Sequence, residues 1–338
     1  MTQCLVSSTT LSITSLSIDI YPLIAPLRPD WSPHNTHLRQ LTGGINNTAF
    51  GLFNNLDQSD ALVIKIFGLH TEVFIDRNVE LNAISILSKY ELAQPILLQF
   101  NNGIIYKFIP GKICSRDDIR DINIASLIAL QMAQYHSIPL QNHKQKPCLI
   151  PLIRKILSLI SDSKNPPTEF ISLSSDVDWI EKDVLPQLIP DPQYGIDLVF
   201  CHNDLACTNI LYNSLSQSVS FIDFEYCTVN YALFDVANHF VEYAGYDQID
   251  FDRYPKKDEQ YRWLKIYFEA RNLKFENQEK TYHLINQFAA LSHLCYGLWA
   301  LAQVSFARAD SDYASYSQRR LNRYRELKLI LFNKWLPQ

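Results

Sequence analysis

The run His202-Asn203-Asp204-Leu205-Ala206-Cys207-Thr208-Asn209, followed by Val219-Ser220-Phe221-Ile222 and then Asp223-Phe224-Glu225, leaves this chain few folds to choose from. An Asp, an Asn five residues on and an Asp at the end of the next strand form a layout that positions a hydroxyl nucleophile and holds Mg²⁺. Asp204 would accept or orient a hydroxyl proton, while Asn209 and Asp223 would supply hard oxygen ligands to a cation bridging phosphates. Alone, a His-Asn-Asp triplet usually caps a helix or makes a turn. The second Asp at a strand end shifts the reading to phosphoryl transfer.

The rest of the chain reads as two unlike halves, an α+β arrangement. Residues 47–53 and 61–67 have strand character, joined by the turn-rich Asn54-Asn55-Leu56-Asp57. Asp76 opens a helical pattern in Val79, Ala83, Ile86 and Leu87. Strands follow at 96–100 and 104–108 around an Asn101-Asn102-Gly103 turn, and Pro110-Gly111 breaks the pattern. Helices then dominate, at 121–137, 151–162, 176–188, 231–244, 258–271, 279–307 and 312–333, with short strands around 198–223. A small sheet lobe, residues 1–110, and a large, mostly helical lobe, 111–338, make a protein-kinase-like two-lobed fold. Residues 1–20 are rich in Ser and Thr, and roughly the first 25 are expected to be poorly ordered.

Composition narrows the partners. At 338 residues and 47% hydrophobic the chain can bury a large core, and a net charge of -5 without a Lys/Arg cluster argues against nucleic acid. Neither a signal-peptide pattern nor an 18-residue apolar window is present, so stable membrane insertion is not expected. The seven cysteines include no Cys-x-x-Cys pair and the histidines show no zinc-ligand spacing, which fits free thiols in a cytoplasmic protein. Cys201, Cys207 and Cys227, which flank the proposed site, read as small buried residues.

The sheet half carries what a nucleotide needs. In Thr42-Gly43-Gly44-Ile45-Asn46-Asn47-Thr48, glycines before a strand let backbone N–H groups approach phosphate oxygens, although a tight turn without a ligand uses the same residues. Lys65 interrupts the apolar run Val63-Ile64-Lys65-Ile66-Phe67, and is expected to clamp nucleotide phosphates and pair with Glu80 on the following helix. Asp76 is expected to cap that helix. Beyond Asp223, the residues Asp235, Asn238, His239 and Glu242 fall at i, i+3, i+4 and i+7. The exposed stretch 256–262 uses Lys, Arg and Glu instead, so this polar face is expected to be internal and hydrogen-bonded.

Together these residues resemble the choline/ethanolamine kinase family. Its diagnostic motif is matched in full by Ile222-Asp223-Phe224-Glu225-Tyr226, Asn230, Asp235, Asn238-His239 and Glu242. The likeness extends to Leu41-Thr42-Gly43-Gly44, Asp76-Arg77, Phe108-Ile109-Pro110-Gly111, residues 202–209 and Gly297-Leu298-Trp299-Ala300-Leu301. The resemblance implies ATP and Mg²⁺ as cofactors, phosphorylation of a small amino alcohol, and a homodimer. By position it makes Asp204 the base and Asn209 and Asp223 the metal ligands, with Gly43, Gly44, Asn46, Asn47, Lys65 and Glu80 around the nucleotide. Glu225, Glu242, Tyr296, Trp299 and Tyr316 would surround the cationic end of the substrate.

Three positions depart from the family's habit. Lys65 is more often Arg, Tyr296 stands where many relatives carry Trp, and Ala206 and Thr208 replace polar or small loop residues; the base and metal residues stay intact. A quaternary ammonium wants an aromatic cage, whereas a primary ammonium wants acceptors such as Glu242. Tyr243, Tyr246, Tyr313, Tyr316, Tyr296 and Trp299 could build either pocket. Residues 238–255 and 299–303 resemble ethanolamine kinases more, so ethanolamine is the expected substrate and choline the alternative. An aminoglycoside or sugar phosphotransferase and a non-catalytic nucleotide-binding module are the further rivals.

Overall fold

The computed structural model describes residues 4–41, 47–57, 59–69, 71–140, 145–163, 167–304 and 312–331. It divides the chain into two compact units, Met1–Lys112 and Ile113–Gln338. The first is built on a six-stranded sheet in the order β1-β5-β6-β4-β3-β2, from β1 (Leu5–Val6), β2 (Thr36–Gln40), β3 (Asn47–Asn54), β4 (Ala61–Phe67), β5 (Ile96–Phe100) and β6 (Gly103–Lys107). Every pairing is antiparallel except β1 with β5. Helices α1 (Leu16–Ile24) and α2 (Arg77–Lys89) complete this unit.

From Cys4 on, the N-terminal segment is folded, contrary to the expectation of disorder. Leu11, Leu16, Ile20, Leu23 and Ile24 join the core cluster with Leu52, Ile64 and Ile105. The Ser and Thr residues that suggested a solvated tail lie on the outside, and the helical spacing of the apolar residues supplies the buried face. Gly103, at the start of β6, is required by close approach: a Cβ there would lie 2.2 Å from the Lys65 carbonyl oxygen.

The second unit is mostly helical: α3 (Ile122–His136), α4 (Leu149–Ser161), α5 (Phe170–Trp179), α6 (Ala232–Glu242), α7 (Lys257–Ala270), α8 (Gln278–Gln303) and α9 (Tyr313–Leu331). The chain enters it through β7 (Lys112–Ile113), the edge of a three-stranded sheet with β9 (Ile210–Asn213) and β10 (Ser218–Phe221). A separate antiparallel pair joins β8 (Leu198–Cys201) to β11 (Thr228–Tyr231). Helix α5 begins six residues before the expected start at 176, because Leu173, Val177, Ile180 and Val184 already form a buried helical stripe. It passes into a wide turn at Ile180–Val184 and then a short 3-10 turn at Leu185–Gln187, whose first turn accommodates Pro186. Helices α8 and α9 pack closely at Gly297, where a Cβ would meet Leu321 at 2.8 Å, and Ser317 Oγ donates to the Gly297 carbonyl at 2.8 Å. Among the described residues no helix is long and apolar enough to cross a membrane.

Candidate active site

In the sheet unit the functional side chains gather on β4 and α2. Lys65 sits mid-strand, paired in register with Ala49 and Ile104, and its Nζ donates to Glu80 Oε1 at 2.6 Å. Asp76 caps α2 by accepting from the Asn78 N–H at 2.9 Å, which sets Glu80 in the first turn. Arg77 takes the other oxygen: its Nη1 donates to Glu80 Oε2 at 2.7 Å. Its Nη2 reaches Asn47 Oδ1 at 3.0 Å and Thr71 Oγ1 at 2.7 Å, and its guanidinium lies 4.1 Å from the Phe67 ring centre. Both oxygens of one buried carboxylate are thus held by cations, a requirement for leaving it charged away from water. Reading from sequence put Arg77 in the helix start and gave it no part in this network; its i, i+3 spacing to Glu80 was the available signal. Gly43, Gly44 and Asn46 lie outside the described residues.

In the helical unit the loop after β8 is fixed from below by one buried acid. Asp235, in the first turn of α6, accepts the backbone N–H of His202 at 2.8 Å and of Asn203 at 2.7 Å. His136 Nε2 lies 3.0 Å from the same carboxylate, and its Nδ1 is 2.6 Å from Tyr267 Oη. A carboxylate only accepts, so Nε2 carries the ring proton and Nδ1 accepts from the tyrosine. Burial alone would raise the Asp235 pKa, but the hydrogen bonds it accepts from His136 and the loop, with its pairing to His136 and His202, outweigh burial and lower it.

Asn203 adopts φ 65°, a left-handed backbone that Asn tolerates better than most residues. Every polar atom of its side chain is used: Nδ2 donates to Tyr226 O at 2.8 Å, and Oδ1 accepts from Asn230 Nδ2 at 2.8 Å. Its carbonyl accepts from Asn238 Nδ2 at 3.0 Å and from Tyr296 Oη. Asp204, next in sequence, is half-buried and receives Asn209 Nδ2 on its carbonyl at 2.8 Å and on Oδ2 at 3.3 Å. With the amide nitrogen of Asn209 so committed, its Oδ1 is left as the acceptor end. The Ile222 N–H donates to Asn209 O and His202 Nε2 donates to Ile222 O, each at 3.0 Å, which ties the loop to the segment carrying Asp223. Asp223 also has φ 65°.

The electrostatics follow from this crowding. The Asp204 pKa is pushed well above the ordinary carboxylate value, first by burial and then by the charges of Glu242, Asp223 and Glu225. Asn209 Oδ1 and the Asp223 carboxylate are hard oxygen donors of the kind that Mg²⁺ takes.

The expected polar face of α6 is internal: Asp235, Asn238, His239 and Glu242 are all buried. His239 Nδ1 donates to Leu205 O at 3.0 Å, bracing the loop one residue past Asp204. Glu225, Tyr296, Trp299 and Tyr316 are buried as well. Trp299 Nε1 donates to Tyr226 Oη at 2.9 Å, its ring centre is 5.6 Å from that of Tyr313, and Tyr246 and Tyr316 lie 4.6 Å apart. The Tyr296 hydroxyl is engaged by the Asn203 carbonyl, and Glu242 is ion-paired at 3.0 Å with Arg320, a residue the sequence reading passed over. Cys201 and Cys227 are buried and Cys207 partly so.

Comparison with known proteins places this geometry. The family model described as choline/ethanolamine kinase matches residues 38–325. The chain is 34% identical to mouse ethanolamine kinase 2 over 329 residues, covering 94% of this chain and 84% of that protein. Among solved structures, Plasmodium vivax ethanolamine kinase superposes with a TM-score of 0.80 at 26% identity, covering 94% of this chain and 90% of that one. Choline kinase from Cryptosporidium parvum gives 0.79 at 22% identity over 96% and 98% of the two chains, a likeness of fold.

Proposed function

This chain belongs to the choline/ethanolamine kinase family, phosphotransferases with an alcohol acceptor, and on that premise we propose that it phosphorylates the hydroxyl of ethanolamine, with ATP as donor and Mg²⁺ as the metal. The observation that carries the reading is the loop bearing Asp204, held by Asp235, Asn238 and His239 and tied through Asn209 to the segment bearing Asp223. The carboxylates of Asp204, Asp223, Glu225 and Glu242 suit a small cationic alcohol and a divalent ion.

In this reading Asp204 orients the substrate hydroxyl and takes its proton late, since a loose phosphoryl-transfer transition state asks little of nucleophile activation. Asp235, Asn238 and His239 hold the backbone on either side of Asp204, so the base is in place before substrate arrives. Asn209 and Asp223 would hold Mg²⁺, which when bound neutralises charge on phosphate oxygens. The sheet unit would serve the nucleotide, with Lys65, braced by Glu80 and Arg77, meeting the phosphates and Asn47 nearby through its bond to Arg77. Glu225 and Glu242, with Tyr296, Trp299 and Tyr316, receive the ammonium.

The seven free thiols support a reducing compartment, and we assign the protein to the cytoplasm. ADP release measured with ethanolamine, its N-methylated derivatives and choline in parallel tests the substrate. A higher kcat/KM for ethanolamine is expected. A preference that rises with each methyl would make the enzyme a choline kinase, the reading that the aromatic group of Tyr246, Tyr313, Tyr316 and Trp299 favours. Turnover of none of them would overturn the assignment.

A further inference from the structure

Arg320, on α9, is 2% exposed. Its Nη1 donates to Glu242 Oε1 at 3.0 Å and to Tyr316 Oη at 2.6 Å. Its Nη2 donates to Ser292 at 3.3 Å on the carbonyl and 3.2 Å on the hydroxyl. The Tyr296 and Tyr316 ring centres lie 5.6 and 5.3 Å from the guanidinium. Stripping a guanidinium of water is costly, and an apolar residue of similar volume could join α6, α8 and α9 as well. The arginine therefore calls for a reason beyond packing.

Two features of the contact supply one. The bond to Glu242 is one-sided: Oε1 is taken, while Oε2 has no hydrogen bond among the described residues and 11% of the side chain stays open. The far end of the guanidinium is wired to the catalytic loop. The Ser292 hydroxyl donates to Asn238 Oδ1 at 2.7 Å, and Asn238 Nδ2 donates at 3.0 Å to the carbonyl of Asn203, the residue before Asp204.

We propose that Arg320 is a positioning residue that sets substrate selectivity: it cancels the charge of Glu242 while holding Oε2 as a directional acceptor, so the site favours a cation bearing N–H groups over one without. This rests on the reading that Glu242 receives the substrate ammonium. The chemistry is a difference of two terms. Attraction between a carboxylate and a cation acts on methylated and unmethylated ammonium alike, whereas an N–H···O bond is available only to the latter. The first drops out of the ratio between substrates, so the gap is set by how well Oε2 is fixed for the second.

The test is steady-state kinetics of the full chain with ethanolamine, its mono- and dimethyl derivatives and choline. Wild type is compared with Arg320→Met, Arg320→Lys, Glu242→Gln and the Arg320→Met/Glu242→Gln pair. Arg320→Met is expected to narrow the choline-to-ethanolamine KM ratio about tenfold, the worth of one charge-assisted hydrogen bond. The kcat and the KM for ATP should change far less, and Arg320→Lys should recover part of the ratio. In the Glu242→Gln background, loss of Arg320 should leave the ratio nearly unchanged, because the arginine acts through that carboxylate. If Arg320→Met does not fold, Arg320→Lys carries the test, its planar fork being lost while its charge remains. An unchanged ratio, or an equal rise in KM for all four alcohols and ATP, overturns the inference and leaves Arg320 a packing residue. Wild type inactive on every alcohol overturns the substrate reading and this inference with it.

Discussion

Each unit of this molecule carries a buried ion pair, and the two hold their carboxylate differently. In the sheet unit Lys65 and Arg77 each take one oxygen of the Glu80 carboxylate. In the helical unit Arg320 binds one oxygen of Glu242, within a group that includes Asp204, Asp223 and Glu225. Neither arrangement is the cheapest way to fill buried space, since apolar side chains would do it at lower desolvation cost. The difference teaches that a carboxylate held at both oxygens acts as a brace, whereas one held at a single oxygen keeps an acceptor to offer. In the proposed reading the first steadies Lys65 for the phosphates of the donor and the second meets the cationic alcohol.

The comparison is broken most severely at Asp204. Asp204→Ala should lower turnover by about 10³-fold or more, while ATP with Mg²⁺ still raises the melting temperature as in wild type. A variant with near-normal turnover would remove Asp204 from the mechanism. In the sheet unit, Lys65→Met should reduce kcat/KM for ATP by roughly 10- to 100-fold, the range of a lost charge-assisted hydrogen bond. The KM for ethanolamine should hardly move, and equal losses for both substrates would show that the two charge patterns are not separable.

Acid should sharpen the contrast. His136, His202, His239 and His293 of the helical unit are all held below the ordinary histidine pKa by burial, His239 to about 4. The folded protein keeps them neutral while the unfolded chain takes up protons, so stability is intact above about pH 6.5 and falls as pH drops below it. His239 alone should cost about 2 kcal/mol between pH 7 and 5. In the sheet unit His34 and His37 are exposed. Hydrogen-exchange protection, taken relative to the intrinsic rate at each pH, should therefore fall first in α3, α6 and α8 at pH 5, and a uniform fall across both units would contradict this. The smallest effect is expected from Glu242→Gln, about a tenfold rise in KM for ethanolamine with the ATP parameters kept.

Much of this was legible because the chemistry is local. Asp204, Asn209 and Asp223 lie within one loop and the following strand connection, and Asp76 announces its helix by sequence alone. The face from Asp235 to Glu242 betrayed its burial by lacking Lys and Arg. What escaped depends on distant partners. Arg320 lies in Gln318-Arg319-Arg320-Leu321-Asn322-Arg323, which reads as a solvated helix face until its partner 78 residues away is known. Strand β2, Thr-His-Leu-Arg-Gln, has no apolar alternation because it is a sheet edge with largely exposed side chains. Helix α1 was obscured by serines and threonines that its apolar stripe outweighs.

The pairing of Glu242 with Arg320 also fixes an order in time. A chain made from its N-terminus at about 5–20 residues per second exposes Asp204 roughly ten seconds before residue 320 exists. Through that interval the acidic cluster lacks the guanidinium that balances it, and Tyr316 has yet to be made. The pocket for the alcohol therefore closes as a late event of synthesis, and a nascent chain holding the complete catalytic loop is not yet able to choose its substrate.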